Sequence, residues 1–87
     1  MPRITDLRAQ GPTVTWTATD DASILHKAEY SFNGGDWTIV EPLTRLHDSK
    51  QHKYSLTVPR TAGQEAIIAV RSTDYADNVA VAKLILP

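Results

Sequence analysis

The residues of this chain best suited to chemistry are its carboxylates and imidazoles. Asp20, Asp21, Glu41, Asp48, Asp74 and Asp77, with the amide of Asn78, are oxygen donors of the kind that a hard cation such as calcium takes several at a time. They fall between strand-like runs and lack the closely spaced acidic positions of a dedicated calcium loop. Aspartate and asparagine are also common turn formers, because their side chains bond nearby backbone amides. The expectation is therefore an acidic, solvated pole that binds calcium weakly or not at all. His26, His47 and His52 would suit zinc, copper or nickel, but no helix or fixed spacing aims them together, and no metal site is expected. His47, Asp48 and Ser49 are the residue types of nucleophilic hydrolysis. Neighbours on one loop cannot hold base, orienter and nucleophile in line, however, and no Gly-x-Ser-x-Gly elbow occurs. Asn33-Gly34-Gly35 has no following helix on which to rest a phosphate. The chain reads as a non-enzyme with no catalytic residue and no cofactor.

The elements that would position these residues are short strands. From Ala28 to Val40, apolar and polar residues alternate on both sides of Asn33-Gly34-Gly35, the pattern of a β-hairpin. A two-residue loop at Gly34 and Gly35, both with φ > 0, would set Phe32 opposite Trp37 and Tyr30 opposite Ile39 on one face, with Glu29, Ser31 and Thr38 on the other. That apolar face demands a second layer. Thr13 to Thr19 alternates so that Val14, Trp16 and Ala18 point inward, and His52, Tyr54, Leu56 and Val58 do the same until Pro59. Ile4 to Arg8 reads as an irregular first strand broken by Gly11-Pro12, 43–51 as a loop, and 59–64 as a turn containing Gly63. In Glu65 to Asp74, an outward Arg71 leaves Ala66, Ile68, Val70 and Ser72 inside. In the last strand, an outward Lys83 leaves Ala80, Ala82, Leu84 and Leu86 inside. Seven strand-like runs at this spacing predict an all-β, seven-stranded antiparallel sandwich occupying residues 1–87 as one domain. Its loops after the second, fourth and sixth strands would emerge together, which is what gathers the acidic residues at one end.

At 87 residues, folding buries about 60 to 65% of the unfolded surface, so a small core must carry the stability. Without cysteine, neither disulfides nor thiolate zinc sites contribute. A net charge of −1, from 9 basic and 10 acidic residues, gives no footprint for nucleic acid or an anionic membrane. The N-terminus shows no signal-peptide core, and no stretch is long enough to span a bilayer. A platform for sugars would need exposed aromatic rings. The alternation places Trp16, Tyr30, Phe32, Trp37 and Tyr54 inward and leaves only Tyr75, at a loop tip, outside.

Val14-Thr15-Trp16, Tyr30 in the next strand, and the Ile68-x-Val70-x-Ser72 run before Asp74 resemble the B, C and F strands of a fibronectin type III or bacterial immunoglobulin-like domain. Asp21-Ala22-Ser23, Ala28-Glu29-Tyr30-Ser31, Gly34-Gly35-Asp36-Trp37, His47-Asp48-Ser49 and Val70-Arg71-Ser72-Thr73-Asp74 with Asn78 are similar to C-terminal modules of large secreted bacterial proteins with propeller-type repeats. The chain departs from the fibronectin pattern at Ala66, where an aromatic residue is usual, and in lacking a tyrosine in the 59–64 turn. The resemblance implies a non-catalytic structural or interaction module of an exported protein, in an extracellular or periplasmic setting. It would contact neighbouring domains or another protein, as a monomer. A carbohydrate-binding module, or a calcium-dependent contact module using the acidic pole, is the alternative.

Overall fold

The computed structural model describes residues 1–43, 49–58 and 65–86. Seven strands form two antiparallel sheets: β1 (Pro2–Gln10), β2 (Thr13–Asp20), β3 (Leu25–Phe32), β4 (Thr38–Val40), β5 (Gln51–Thr57), β6 (Ala66–Asp74) and β7 (Val79–Leu86). One sheet has the order β1-β2-β5 and the other β4-β3-β6-β7. The molecule is the expected seven-stranded antiparallel β-sandwich.

Residue alternation builds the interior. β2 buries every second residue, and Trp16, 2% exposed, lies between Val14 and Ala18. Trp16 pairs in register with Tyr54 of β5, and their rings stack with centroids 5.2 Å apart. From the other sheet come Leu25, Ala28, Ala66, Ile68, Val70 and Leu86. Ser72 is also inside, and Tyr30, Phe32, Ala82 and Leu84 pack against this core as the alternation requires. The first strand is irregular as expected. Its register against β2 shifts between Thr5 and Arg8, where Asp6 takes a left-handed φ of 55°. The 59–64 turn, with Pro59 and Gly63, and residues 44–48 of the 43–51 loop lie outside the described residues.

The β3–β4 hairpin differs from the sequence expectation by one residue. The turn is centred on Asn33 and Gly34, with φ of 51° and 76°, and Gly35 does not share the left-handed conformation. Gly35 N–H donates to Phe32 O at 3.0 Å to close it. Beyond the turn, Tyr30 pairs with Thr38, Glu29 with Ile39 and Ala28 with Val40, so the returning chain carries one residue more than a two-residue loop allows. A slip of one residue reverses every side chain. Val40 is therefore buried at 7% exposure, while Ile39 is 69% exposed and Trp37 stands outside. The cause lies in β6. Asn33 N–H donates to Ile67 O at 2.7 Å and the Asn33 side chain accepts from Ile67 N–H at 2.9 Å, which fixes Asn33 as the first turn residue. Ser31 Oγ donates to Gly35 O at 2.7 Å and holds the extra residue in place.

Two predictions follow from this packing. Trp16→Ala should lower the unfolding free energy by about 3 to 5 kcal/mol in chemical denaturation; a loss below about 1 kcal/mol would place Trp16 outside the core. Gly34→Val should cost about 1 to 2 kcal/mol through its left-handed φ. Gly35→Ala should cost less, since the added Cβ meets only Phe32 O at 3.2 Å. Equal costs in the same denaturation experiment would show that the turn is centred elsewhere.

Candidate functional site

Two surfaces gather chemically capable side chains: the pole at the ends of β2 and β6, and the outer face of the four-stranded sheet.

The pole is built by continuing the inward alternation of two strands. Val14, Trp16 and Ala18 lead to Asp20, and Ile68, Val70 and Ser72 lead to Asp74, and both aspartate side chains are fully buried. The solvated pole expected from the sequence is thus buried at its two principal members. Asp20 Oδ1 accepts from Ala22 N–H at 2.8 Å and from Ser23 N–H at 2.9 Å, turning the chain from β2 toward β3. Asp74 Oδ1 accepts from Ala76 and Asn78 N–H, both at 2.9 Å, and Oδ2 from Asn78 Nδ2 at 3.1 Å. Asp77, with a left-handed φ of 64°, completes this second turn. Backbone bonds from Leu25 N–H to Ser49 O and from Tyr75 N–H to Ile24 O draw the loops together. The Met1 ammonium lies 3.2 Å from Asp20, 3.5 Å from the exposed Asp21 and 3.8 Å from Asp74.

The amides of Ala22, above all, hold the Asp20 carboxyl below the usual carboxylate range against the opposing effect of burial, with further lowering from Ser23, the neighbouring Asp74 and the ammonium. Asp20 Oδ2 is buried without a donor. Among the described residues, no group of three or more His, Asp or Glu side chains is arranged to hold a metal ion. Asp77, whose N–H donates to Asp74 O at 3.1 Å, lines a depression on the sheet face together with His26. Glu41 is exposed past the end of β4. Asp48 and His47 lie outside the described residues. His26 and His52 are on different sheets: His26 stacks on Tyr75 with centroids 4.3 Å apart, and His52 is buried edge-on to Tyr54. Ser49 Oγ accepts from Gln51 N–H at 3.2 Å and caps the start of β5.

The outer face of the four-stranded sheet is the surface that the sequence reading missed. Ile39, Glu29, Arg71 and Val81 form one row across β4, β3, β6 and β7. Glu29 Oε1 accepts from Arg71 Nε at 3.1 Å and Nη2 at 3.0 Å, and Lys27 Nζ is 4.0 Å away. The Arg71 guanidinium lies 4.2 Å from the Trp37 ring centroid. Around this polar centre Ile39, Ile67, Val79, Val81 and Ile85 are exposed, together with Trp37. The opposite outer face carries Thr13, Thr15, Thr17 and Thr19 flanked by Lys53, Ser55 and Thr57. The signal available in the sequence was the alternation in β7, where Val79, Val81 and Ile85 share the outward side with Lys83.

No protein-family model matches this chain, and no curated protein matches it. The class is set by the fold, an all-β sandwich of two antiparallel sheets compatible with an immunoglobulin-like or fibronectin type III-like domain.

Because folding lowers the Asp20 value, this carboxylate stabilises the fold fully above its ordinary value of 3.8, and the contribution is lost as pH falls further through the folded value. The melting temperature should therefore begin to drop near about pH 4 and continue dropping below it, and Asp20→Asn should flatten that acid limb. An acid limb of the same slope in the variant would remove Asp20 from the explanation.

Proposed function

We propose that this chain is a non-catalytic interaction module of the immunoglobulin-like or fibronectin type III-like kind, acting within a larger exported bacterial protein, and that it makes its contacts through the outer face of the four-stranded sheet. One observation carries the reading: the two outer faces differ in kind. The β1-β2-β5 face is coated with threonine, serine and lysine, as a solvated sheet face should be. The β4-β3-β6-β7 face instead exposes Trp37, Ile39, Ile67, Val79, Val81 and Ile85 around a Glu29–Arg71 pair. Contiguous apolar surface around a polar anchor is the composition of a recognition surface, and aromatic and arginine side chains are its usual energetic centres. None of the outward apolar residues contributes to the sandwich core, so folding alone gives no reason for them.

Hydroxyl-radical footprinting tests this reading. Ile39, Val81 and Ile85 should label strongly in the isolated chain and weakly in the longer protein, with labelling of Ile39 restored there by Val81→Lys combined with Ile85→Lys. The double variant should change the stability of the isolated chain by no more than about 0.5 kcal/mol, since both positions are exposed. Equal labelling in the two settings would remove the contact face.

A further inference from the structure

The outward Trp37 changes what this face can bind. On β3, Tyr30 pairs with Thr38, the residue after Trp37, and Leu25 pairs with Asp74, the residue before Tyr75. Trp37 and Tyr75 therefore lie just beyond the two ends of Leu25–Tyr30, six residues of β3, with about 23 Å of extended chain between their positions. Between them run Arg71, Glu29, Lys27 and His26, and a shallow depression floored by Thr73 opens beside Asp77. Arg71 packs against Trp37 and His26 against Tyr75, yet the two rings remain 37% and 60% exposed.

We propose that this strip is a binding site for an oligosaccharide. The inference rests on the reading of the same sheet face as the contact surface and names the ligand class it takes. The C–H face of a pyranose is weakly positive and the face of an aromatic ring weakly negative, so sugars stack on exposed tryptophan and tyrosine. Neighbouring hydroxyls on a sugar both donate and accept. The Glu29 carboxylate beside the Arg71 guanidinium and the Lys27 ammonium presents an acceptor next to donors, and Asp77 adds a further acceptor on the lining of the same depression. All three cationic contacts of Glu29 go to Oε1, so Oε2 takes no part in them.

Other ligand classes fit less well. An extended peptide binds a sheet by adding to an open edge, whereas this strip follows β3, whose backbone is paired with β6 along its length and with β4 from Ala28 to Tyr30. A nucleic acid strand would need cations in excess, and here Glu29 and Asp77 accompany Lys27 and Arg71.

The test is an NMR titration of the chain with cellotetraose, xylotetraose, mannotetraose, chitotetraose and tetragalacturonate, each to millimolar concentration. At least one should shift the Trp37 indole and the amides of Lys27, Glu29, Arg71 and Tyr75. Trp37→Ala and Tyr75→Ala should each weaken that binding at least tenfold, while Thr15→Ala, on the opposite face, leaves it unchanged. Trp37→Phe, which keeps a ring, should retain binding and guards against loss through misfolding. No shift with any of the five sugars, shifts confined to other surfaces, or wild-type affinity in Trp37→Ala would overturn the proposal. A negative titration alongside positive footprinting of Ile39, Val81 and Ile85 would refute the ligand class and leave the contact face standing. Failure of both would remove the face itself.

Discussion

The pairing of β3 with β6 is the constraint on which the rest of the molecule depends. It joins Leu25 to Asp74 at one end and Phe32 to Ile68 at the other, with Glu29 opposite Arg71 between them. Both strands lie inside the four-stranded sheet, so their inner residues, Leu25, Ala28, Ile68 and Val70, form one wall of the core against Trp16 and Tyr54. Their outer residues carry the ion pair. With no disulfide available, this ladder, irregular only between Leu25 and Lys27, and the apolar layer beneath it hold the fold together.

The same pairing fixes both ends of the sheet. At one end Asn33 extends the ladder through its own backbone and side chain to Ile67, and this forces the turn, the extra residue after it and the outward position of Trp37. At the other end Asp74 closes a turn from inside the fold and lies close to Asp20, which does the same for the loop after β2. Buried carboxylates are tolerable there because each accepts from two backbone amides of the turn it closes, which leaves the loops with defined paths.

The contrast between the outer faces connects this architecture to function. A sheet of this size needs only one apolar face to form its sandwich, and the three-stranded sheet obeys that limit with its row of threonines. The four-stranded sheet exceeds it. Its second face combines branched apolar residues with a tryptophan covered on one side by arginine, and the cluster stays compact because Glu29 holds Arg71 in place.

The strand count, the inward faces of β2, β5, β6 and β7, and the central place of Trp16 were all readable in the chain alone. These follow from period-two alternation, which is a local property of the chain and survives without knowledge of partners. The β3–β4 register was not readable there, because Asn33 and Gly34 compete with Gly34 and Gly35 for the turn and the contest is settled by Ile67, a residue thirty-four positions away. The burial of Asp20 and Asp74 was legible in the alternation of their strands, but their average preference for solvent pointed the other way. Hydrogen bonds from the folded loops reversed that preference. Of the two aromatic ends of the candidate site, Tyr75 was readable as exposed at its loop tip, but Trp37 was invisible for the same reason as the register: a one-residue slip moved it from the core to the surface, and a slip of that size is set by contacts between strands rather than by the residues of one strand.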